Sequence, residues 1–376
     1  MVAIAILCAV YVIIYCSYIT RLISGLGKVG EFVPTTSNAR TGFSIVIPFR
    51  NEQENLGHLL ESISSLDYPK DLFELIFIDD ASTDDSVTLI NRWRMQNGLV
   101  RTTLIENIQM TPSPKKNAIM RSIPIAAFDW VITTDADCKL PATWLTTFDA
   151  FICQNTFEMI AAPVRFTKGF GLLKNFQRLD FLSLQSVTVG SFGIRKPFMC
   201  NGANFAYKKS FFELLGGFAG NEKIASGDDV FLLQKAAKEY PEKLGYLKSE
   251  AVIVETLPEK NLGNLFNQRV RWAAKASSYK NDYAEDLALV VFLSNLAMVA
   301  LFVMTAFGLD WRITVAVFVL KLIPDWVFLH KGNRFLKSHS VVFPVFGAVF
   351  YPLFTVAVAL YAIFGKYSWK GRKFRV

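Results

Sequence analysis

The chain has 376 residues, a formal net charge of +8 and 52% hydrophobic residues, with a mean hydropathy of +0.30. That apolar content argues against a wholly soluble protein, and the length allows about two folding units. The five cysteines (Cys8, Cys16, Cys138, Cys153 and Cys200) form no CxxC pair, which argues against a disulfide framework or a zinc site.

Residues 2–20, VAIAILCAVYVIIYCSYIT, carry no charge and are about long enough to span a bilayer. A cleaved signal peptide is disfavoured, because no basic region precedes the apolar run and no small-x-small site clearly follows it. Gly42–Arg50 reads as a buried strand, and Asn51–Leu66 carries a helical apolar face through Leu56, Leu59, Leu60 and Ile63. Phe73–Asp80 is a second strand, followed by a helix that Ser82 or Thr83 could cap. Leu99–Glu106 reads as a third strand, Lys115–Phe128 as a helix interrupted by Pro124, and Trp130–Thr134 as a fourth strand. Strands and helices alternating with short connections predict an α/β domain with a largely parallel sheet, which binds ligands beyond the carboxyl ends of its strands. NGANFAYKKSFFELLGGF, residues 201–218, adds a small-residue turn, a short strand and a helix ending at Gly216-Gly217. It suits an acceptor-lining wall and plain packing equally.

Arg269, Arg271, Lys275 and Lys280 precede three apolar stretches that begin near residue 287, the second of which contains Lys321, Pro324 and Asp325. The first and third are the stronger spanning segments; the second could be broken, re-entrant or interfacial. With Arg21 and Lys28, the basic flank places residues 21–286 in the cytoplasm and Met1 outside. His330–Lys337 and the tail KYSWKGRKFRV are also basic. Alternation through three helices cannot put both inside, so the choice between two and three C-terminal spans stays open. Anionic headgroups account for the basic balance more economically than nucleic acid.

No GxGxxG follows the first strand and no GxxxxGKS occurs, so a dinucleotide-binding Rossmann domain and a P-loop NTPase lose support. The acidic residues lie at strand ends instead. Asp80, in FIDDAS, can accept hydrogen bonds from a base or ribose, although Asp79-Asp80 also suits a solvated strand end with a helix cap. In TTDADC, Asp135 and Asp137 point the same way if the chain stays extended. Their mutual repulsion would be relieved by Mg2+ or Mn2+ bridging to a diphosphate. Asp228 and Asp229 open an amphipathic helix, where they suit capping and also the role of a general base toward an acceptor hydroxyl.

These elements, in this order over approximately residues 42–280, resemble the membrane-bound members of glycosyltransferase family 2, with a GT-A catalytic domain. SIVIPFRNEQENL is similar to the family's first strand and its Pro-x-x-Asn-Glu turn, which implies donor contacts at Pro48, Arg50 and Glu52. The resemblance further implies uracil contact by Asp80 and a diphosphate neighbour in Lys115, with Lys116 as the alternative. It makes Asp137 the direct metal ligand beside Asp135, and Asp229 the base beside Asp228. GDD replaces the usual Glu-Asp pair at its first acidic position. Gln268, Arg271 and Trp272 match the Gln-x-x-Arg-Trp signature, and on a helix the three can share a face.

The function implied is inverting, metal-dependent transfer from a UDP-sugar to a lipid or lipid-linked glycan at the cytoplasmic face of a cell inner membrane. Membrane lipids are the expected surroundings, and nucleic acid is not an expected partner. The alternative is a processive polysaccharide synthase of the cellulose, chitin or poly-N-acetylglucosamine type, disfavoured by the short stretch after residue 286. A scaffold built on a degenerate transferase is disfavoured because all the polar elements are present. The expected organisation is a transmembrane helix over 1–22, a cytoplasmic GT-A domain over 40–285, a membrane region with two or three spans over 286–365, and a basic tail over 366–376.

Overall fold

The computed structural model describes residues 1–34, 39–222, 224, 226–276, 281–338, 345–369 and 372–375. Lys280 of the basic flank, residues 341–344 of the last apolar stretch, and Lys370, Gly371 and Val376 of the tail lie outside the described residues.

The chain opens with α1 (Val2–Lys28) and continues as β1 (Phe43–Phe49), α2 (Leu56–Ser64), β2 (Phe73–Asp79), α3 (Ser86–Gln96), β3 (Arg101–Glu106), α4 (Pro114–Ser122) and β4 (Trp130–Thr133). Next come α5 (Trp144–Gln154), β5 (Met159–Ala161), β6 (Val164–Phe166), α6 (Leu172–Gly193), β7 (Phe205–Lys208), α7 (Lys209–Leu214), α8 (Asp228–Glu239), β8 (Leu244–Tyr246) and β9 (Val254–Thr256). The remainder is α9 (Leu262–Ala276), α10 (Asp282–Ala306), α11 (Trp311–Leu336), α12 (Val345–Phe364) and the hairpin β10 (Lys366–Trp369) and β11 (Arg372–Arg375). Two compact units result: Val29–Thr167 with Met199–Pro258, and Met1–Lys28 with Lys168–Phe198 and Glu259–Val376. Residues 168–198 and 259–285 therefore cluster with the apolar helices rather than with the sheet.

In the first unit seven strands run in the order β3-β2-β1-β4-β7-β5-β8. β3, β2, β1 and β4 are parallel, while β7 runs antiparallel to both β4 and β5. FSIVIPF and FELIFID are almost continuously buried, as expected of central strands of a sheet whose two faces are both covered. Leu56, Leu59, Leu60 and Ile63 bury the predicted face of α2. Pro124 ends α4 in a short 3-10 turn, because proline lacks the N–H that a continuing helix needs. The register sets Asp79 opposite both Phe49 and Glu106, so the strand-end acids gather along one edge.

In the second unit α1, α10 and α11 are long and apolar enough to cross a membrane. The middle stretch, expected to be the weakest, is one continuous helix through Pro324. Its charges are internally matched: Lys321 Nζ lies 2.7 Å from Asp325 Oδ2, and Tyr15 donates to Asp325 Oδ1 at 2.5 Å. The apolar part of the last helix, Gly347–Ile363, is shorter. α6 crosses α1 where Gly25, Gly190 and Gly193 leave no room for a Cβ, so the two backbones meet directly.

Candidate active site

Two loops at the carboxyl end of the sheet interlock. Arg50 donates to the carbonyls of Asp80 and Ala81, the latter at 3.0 Å, so its guanidinium fastens the β2–α3 loop. Asn51, in the left-handed region at φ 51°, donates its N–H to Ser82 Oγ at 3.0 Å and accepts from the Thr83 N–H at 2.8 Å. Asp84 accepts from the Gln53 and Ser86 N–H groups, both at 3.1 Å. Ser82 and Thr83 thus stitch the loops together, and Asp85 takes the position preceding α3. The cap expected at Ser82 or Thr83 is not formed, because their polar atoms have partners across the cleft of the loop. Glu52 is buried and its carboxylate accepts from Asn55 Nδ2 at 2.6 Å, which ties the turn to the start of α2. Pro48 lies within β1, half-buried, opposite Ile78.

The two aspartates ending β2 have separate tasks. Asp79 accepts from the Ser82 N–H at 2.9 Å. Half-buried Asp80 accepts at 2.9 Å from Asn107 Nδ2, which also donates to the Pro114 carbonyl at 2.9 Å. Asn107 therefore orients Asp80 and connects it to the first turn of α4. Nothing in the local pattern had singled it out.

Asp135 and Asp137 do not continue β4 in extended form. The strand ends at Thr133 and the chain turns, with the Cys138 N–H donating to the Asp135 carbonyl at 3.1 Å. The two carboxylates take different partners. Asp135 Oδ1 sits 2.6 Å from Lys115 Nζ, whereas Asp137 Oδ2 accepts from Thr256 Oγ1 at 3.2 Å. Burial first, then the charges of Asp137 and Asp135, push the Cys138 thiol well up, so it stays protonated beside two oxygen donors.

Lys115 gathers the remaining carboxylates. Its Nζ lies 3.5 Å from Asp228 Oδ2, and its side chain is 18% exposed. Burial alone would lower its pKa, but Asp135, Asp228 and Asp229 outweigh that and raise it, so Lys115 remains a cation. Lys116, one residue on, points elsewhere: it is fully buried and donates to the carbonyls of Asn221 at 2.7 Å and Ile224 at 2.9 Å. Helical geometry separates neighbours by about 100°. Of the two lysines, Lys115 is the one that faces the acids.

Asp228 and Asp229 open α8 behind Gly227, which adopts φ 81°. Asp228 is buried, while half-buried Asp229 accepts from the Gly202 N–H at 2.8 Å and the Val230 N–H at 2.8 Å. Gly202 belongs to the 201–218 segment, which suits an acceptor-lining wall and plain packing equally. A Cβ there would lie 3.0 Å from Lys115 Nζ, 3.3 Å from Asp228 Oδ2 and 3.4 Å from Asp229 Oδ2. Two residues on, Asn204 is fully buried, accepting from Trp144 Nε1 at 2.9 Å and donating to the Pro163 and Val252 carbonyls. The NGAN turn thus packs through Asn204 and abuts the acid cluster through Gly202.

In the helical unit, Gln268 donates to Glu259 at 2.9 Å and accepts from Arg269. Arg269, which the motif leaves unspecified, pairs with Asp180 at 2.5 Å, and its guanidinium carbon stands 4.2 Å from the centroid of the Trp272 ring. Trp272 also meets Phe181 at 6.3 Å, and Arg271 is half-buried on the same helix. The structure thus joins Lys115, Asp135, Asp228, Asp229 and Gly202 in the sheet unit, and Gln268 and Trp272 with Arg269 in the other.

The fold matches that of the mannosyltransferase PcManGT from Pyrobaculum calidifontis, solved with GDP-Man and Mn2+. The TM-score is 0.65 at 19% identity, over 96% of this chain and 98% of that one. A mostly parallel sheet with acids at its strand ends, accompanied by long apolar helices, is a fold of the GT-A type. The chain belongs to Glycosyl transferase family 21, whose profile matches residues 1–376, where the motifs resembled family 2. Among curated proteins it is 25% identical over 130 residues to the poly(ribitol-phosphate) beta-N-acetylglucosaminyltransferase TarS of Staphylococcus aureus strain Mu50, covering 35% of this chain and 22% of that protein. It is 24% identical over 238 residues to a poly-beta-1,6-N-acetyl-D-glucosamine synthase of Staphylococcus epidermidis, covering 62% of this chain and 54% of that protein. The chain thus spans about a fifth to a half of the length of these relatives.

Proposed function

We propose that the protein transfers a sugar, with inversion, from a UDP-sugar to a lipid or lipid-linked acceptor at the cytoplasmic face of the membrane. Residues 40–285 supply the transferase region, 1–22 and 286–365 its membrane segments, and 366–376 a basic tail. The observation that carries this reading is the convergence of Asp135, Asp228 and Asp229 on the Lys115 amine and the Gly202 turn.

Asp80, held by Asn107, takes the base or ribose of the donor, and Arg50, Pro48 and Glu52 shape the loop beside it. Lys115 neutralises the diphosphate beside the acids, and the resemblance to family 2 gives Gln268 and Arg271 a donor role and Trp272 an apolar contact with acceptor or sugar. Asp229 has the properties of a base: two backbone N–H groups fix its carboxylate, and its half-buried position leaves it within reach of an acceptor hydroxyl. Asp229 takes the hydroxyl proton as the oxygen attacks the anomeric carbon and UDP departs. Asp228, buried against Lys115, holds that amine in place.

The turn at residues 135–138 fits Mg2+ or Mn2+. Its side-chain donors are carboxylate oxygens, and such ions are bound by one or two carboxylates together with substrate phosphates. Asp137 and Asp135 would hold the ion, and when bound it supplies charge neutralisation to the diphosphate.

Purified protein with UDP-sugars, Mn2+ and membrane lipids should release UDP and glycosylate lipid. Asp229→Asn should lower transfer at least ~100-fold, within the range for general-base loss, with the fold intact; undiminished transfer would refute the assignment. A second reading, chain elongation, draws on the likeness to the Staphylococcus epidermidis synthase. Mass spectrometry of the product separates the two: one or a few sugars on lipid support the first reading, and a long homopolymer the second.

A further inference from the structure

The packing within the helical unit determines on which end of the bundle each charged segment lies. Ala5, Cys8 and Val12 of α1 pack with Ala297, Met298 and Leu301 of α10, whereas Tyr18 stacks on Tyr283 at 5.9 Å, so α10 runs antiparallel to α1. Leu309 and Val317 join the same early cluster, and Tyr15 and Cys16 meet Asp325 and Leu320, so α11 runs parallel to α1. The end of α1, the start of α10 and the end of α11 therefore share one end of the bundle. α6 crosses that end twice, at Gly25 of α1 and, through Ser186, at Gly332 of α11. α9 is fastened to α6 by the Arg269–Asp180 pair and leads directly into the start of α10.

The far end of α12 returns to this level. Val358 and Ala362 pack with Leu265 and Val270 of α9, Tyr361 meets Phe266 at 5.5 Å, and β10 lies beside α9. The chain thus leaves α11 and reaches the tail hairpin on the same side. A helix of 20 residues is about 30 Å long, enough to cross a bilayer, so its length does not decide the matter. Packing does. The conflict between the two basic segments also disappears: His330–Lys337 and the basic hairpin of residues 366–369 and 372–375 both join Arg21 and Lys28.

We propose that α12 does not carry the chain across the membrane. It enters and leaves a single leaflet, and its outward face, with Val349, Phe350, Leu353, Leu360 and Ile363 each 40–62% exposed, is covered by the acyl chains of that leaflet. The occupant is lipid because α12 is continuous with a bundle whose three long helices are themselves of membrane-spanning length. The result is a three-span protein with both basic C-terminal segments on the same side of the membrane.

The test uses the full chain in a bacterial inner membrane. Green fluorescent protein and alkaline phosphatase are fused in turn after Val376, and inserted at Gly308 in the turn between α10 and α11. The C-terminal fusion should fluoresce and lack phosphatase activity, and the Gly308 insertion should do the reverse. Phosphatase activity with dark fluorescent protein at the C-terminus would overturn the proposal. Leu353→Cys and Leu360→Cys, made in a Cys153→Ser background and labelled with a fluorophore, should both be quenched by acyl-brominated lipid. Absence of quenching together with Leu353→Cys crosslinks between copies would assign the face to a second copy and overturn the lipid assignment. Neither readout requires sugar transfer, so failure here is distinct from failure of the proposed activity.

Discussion

Gly202→Ala places one methyl group at the centre of the carboxylate cluster. Its Cβ would lie 3.0 Å from the Lys115 amine and 3.3–3.4 Å from the nearer oxygens of Asp228 and Asp229. Relief requires a retreat of a few tenths of an ångström by the ends of these side chains, while the backbone is not in the left-handed region. Overpacking costs about 1–3 kcal/mol, and a flexible lysine tip puts this site at the low end. Reduced freedom of the unfolded chain offsets roughly 0.4–1 kcal/mol of it. The melting temperature should therefore move by no more than about 4 °C. Activity is more exposed to the change, because misplacing reacting groups by ~1 Å costs roughly 100-fold, and the shift here is a fraction of that. A fall of about 10-fold or more in kcat is expected. Gly42→Ala is the contrasting control, since a Cβ there collides with the Phe128 ring away from the acids. It should lower the melting temperature and leave the specific activity of folded protein unchanged. UDP release measured beside thermal unfolding separates the cases, and wild-type turnover by Gly202→Ala would refute the reasoning.

Lys116→Met keeps the buried stem but strands the carbonyls of Asn221 and Ile224, which precede α8. Steady-state kinetics should show kcat reduced roughly 10-fold with donor KM unchanged, consistent with a ~1–1.5 kcal/mol hydrogen-bond loss felt at Asp229; a change confined to KM would contradict it. Asp84 is held below the usual carboxylate range: burial, the largest single effect, raises its pKa, but bonds from the Ser86 hydroxyl and the Gln53, Ser86 and Asp84 N–H groups together outweigh it. Its folded pKa is depressed, so its stabilisation is present above the unfolded value of about 3.9 and lost as pH falls through the folded value. Asp84→Asn should thus melt lower than wild type at pH 7, and the gap should close under acid; a gap independent of pH would count against the assignment. Arg269→Ala leaves Asp180 buried and unpaired, at a cost of about 3–5 kcal/mol, whereas Arg269→Leu with Asp180→Leu should recover most of it. Thermal unfolding in detergent would show this, and equal losses in the single and double variants would exclude it.

Much of this protein was legible in the chain itself. The alternation of buried apolar strands with amphipathic helices, the break at Pro124 and the acids at strand ends are local patterns, set by side-chain periodicity and by residues that cannot continue a helix. The long apolar helices follow from composition in the same way, although α11 absorbs Lys321, Pro324 and Asp325 because the two charges pair with each other. What lay outside local pattern was decided by tertiary structure. Gly202 is tied to Asp229 only because β7 inserts antiparallel beside β4 and brings its preceding turn over α8. Asn107 reaches Asp80 because β3 lies beside β2, and Asp135 meets Lys115 while Asp137 meets Thr256, where the chain turns at the strand end. The Gln-x-x-Arg-Trp motif could be read as a face of one helix, but Arg269 within it pairs with Asp180, which comes from a different helix far back in the chain. Periodicity specifies which side of an element is apolar; sheet order and helix crossing specify which distant residues that side meets.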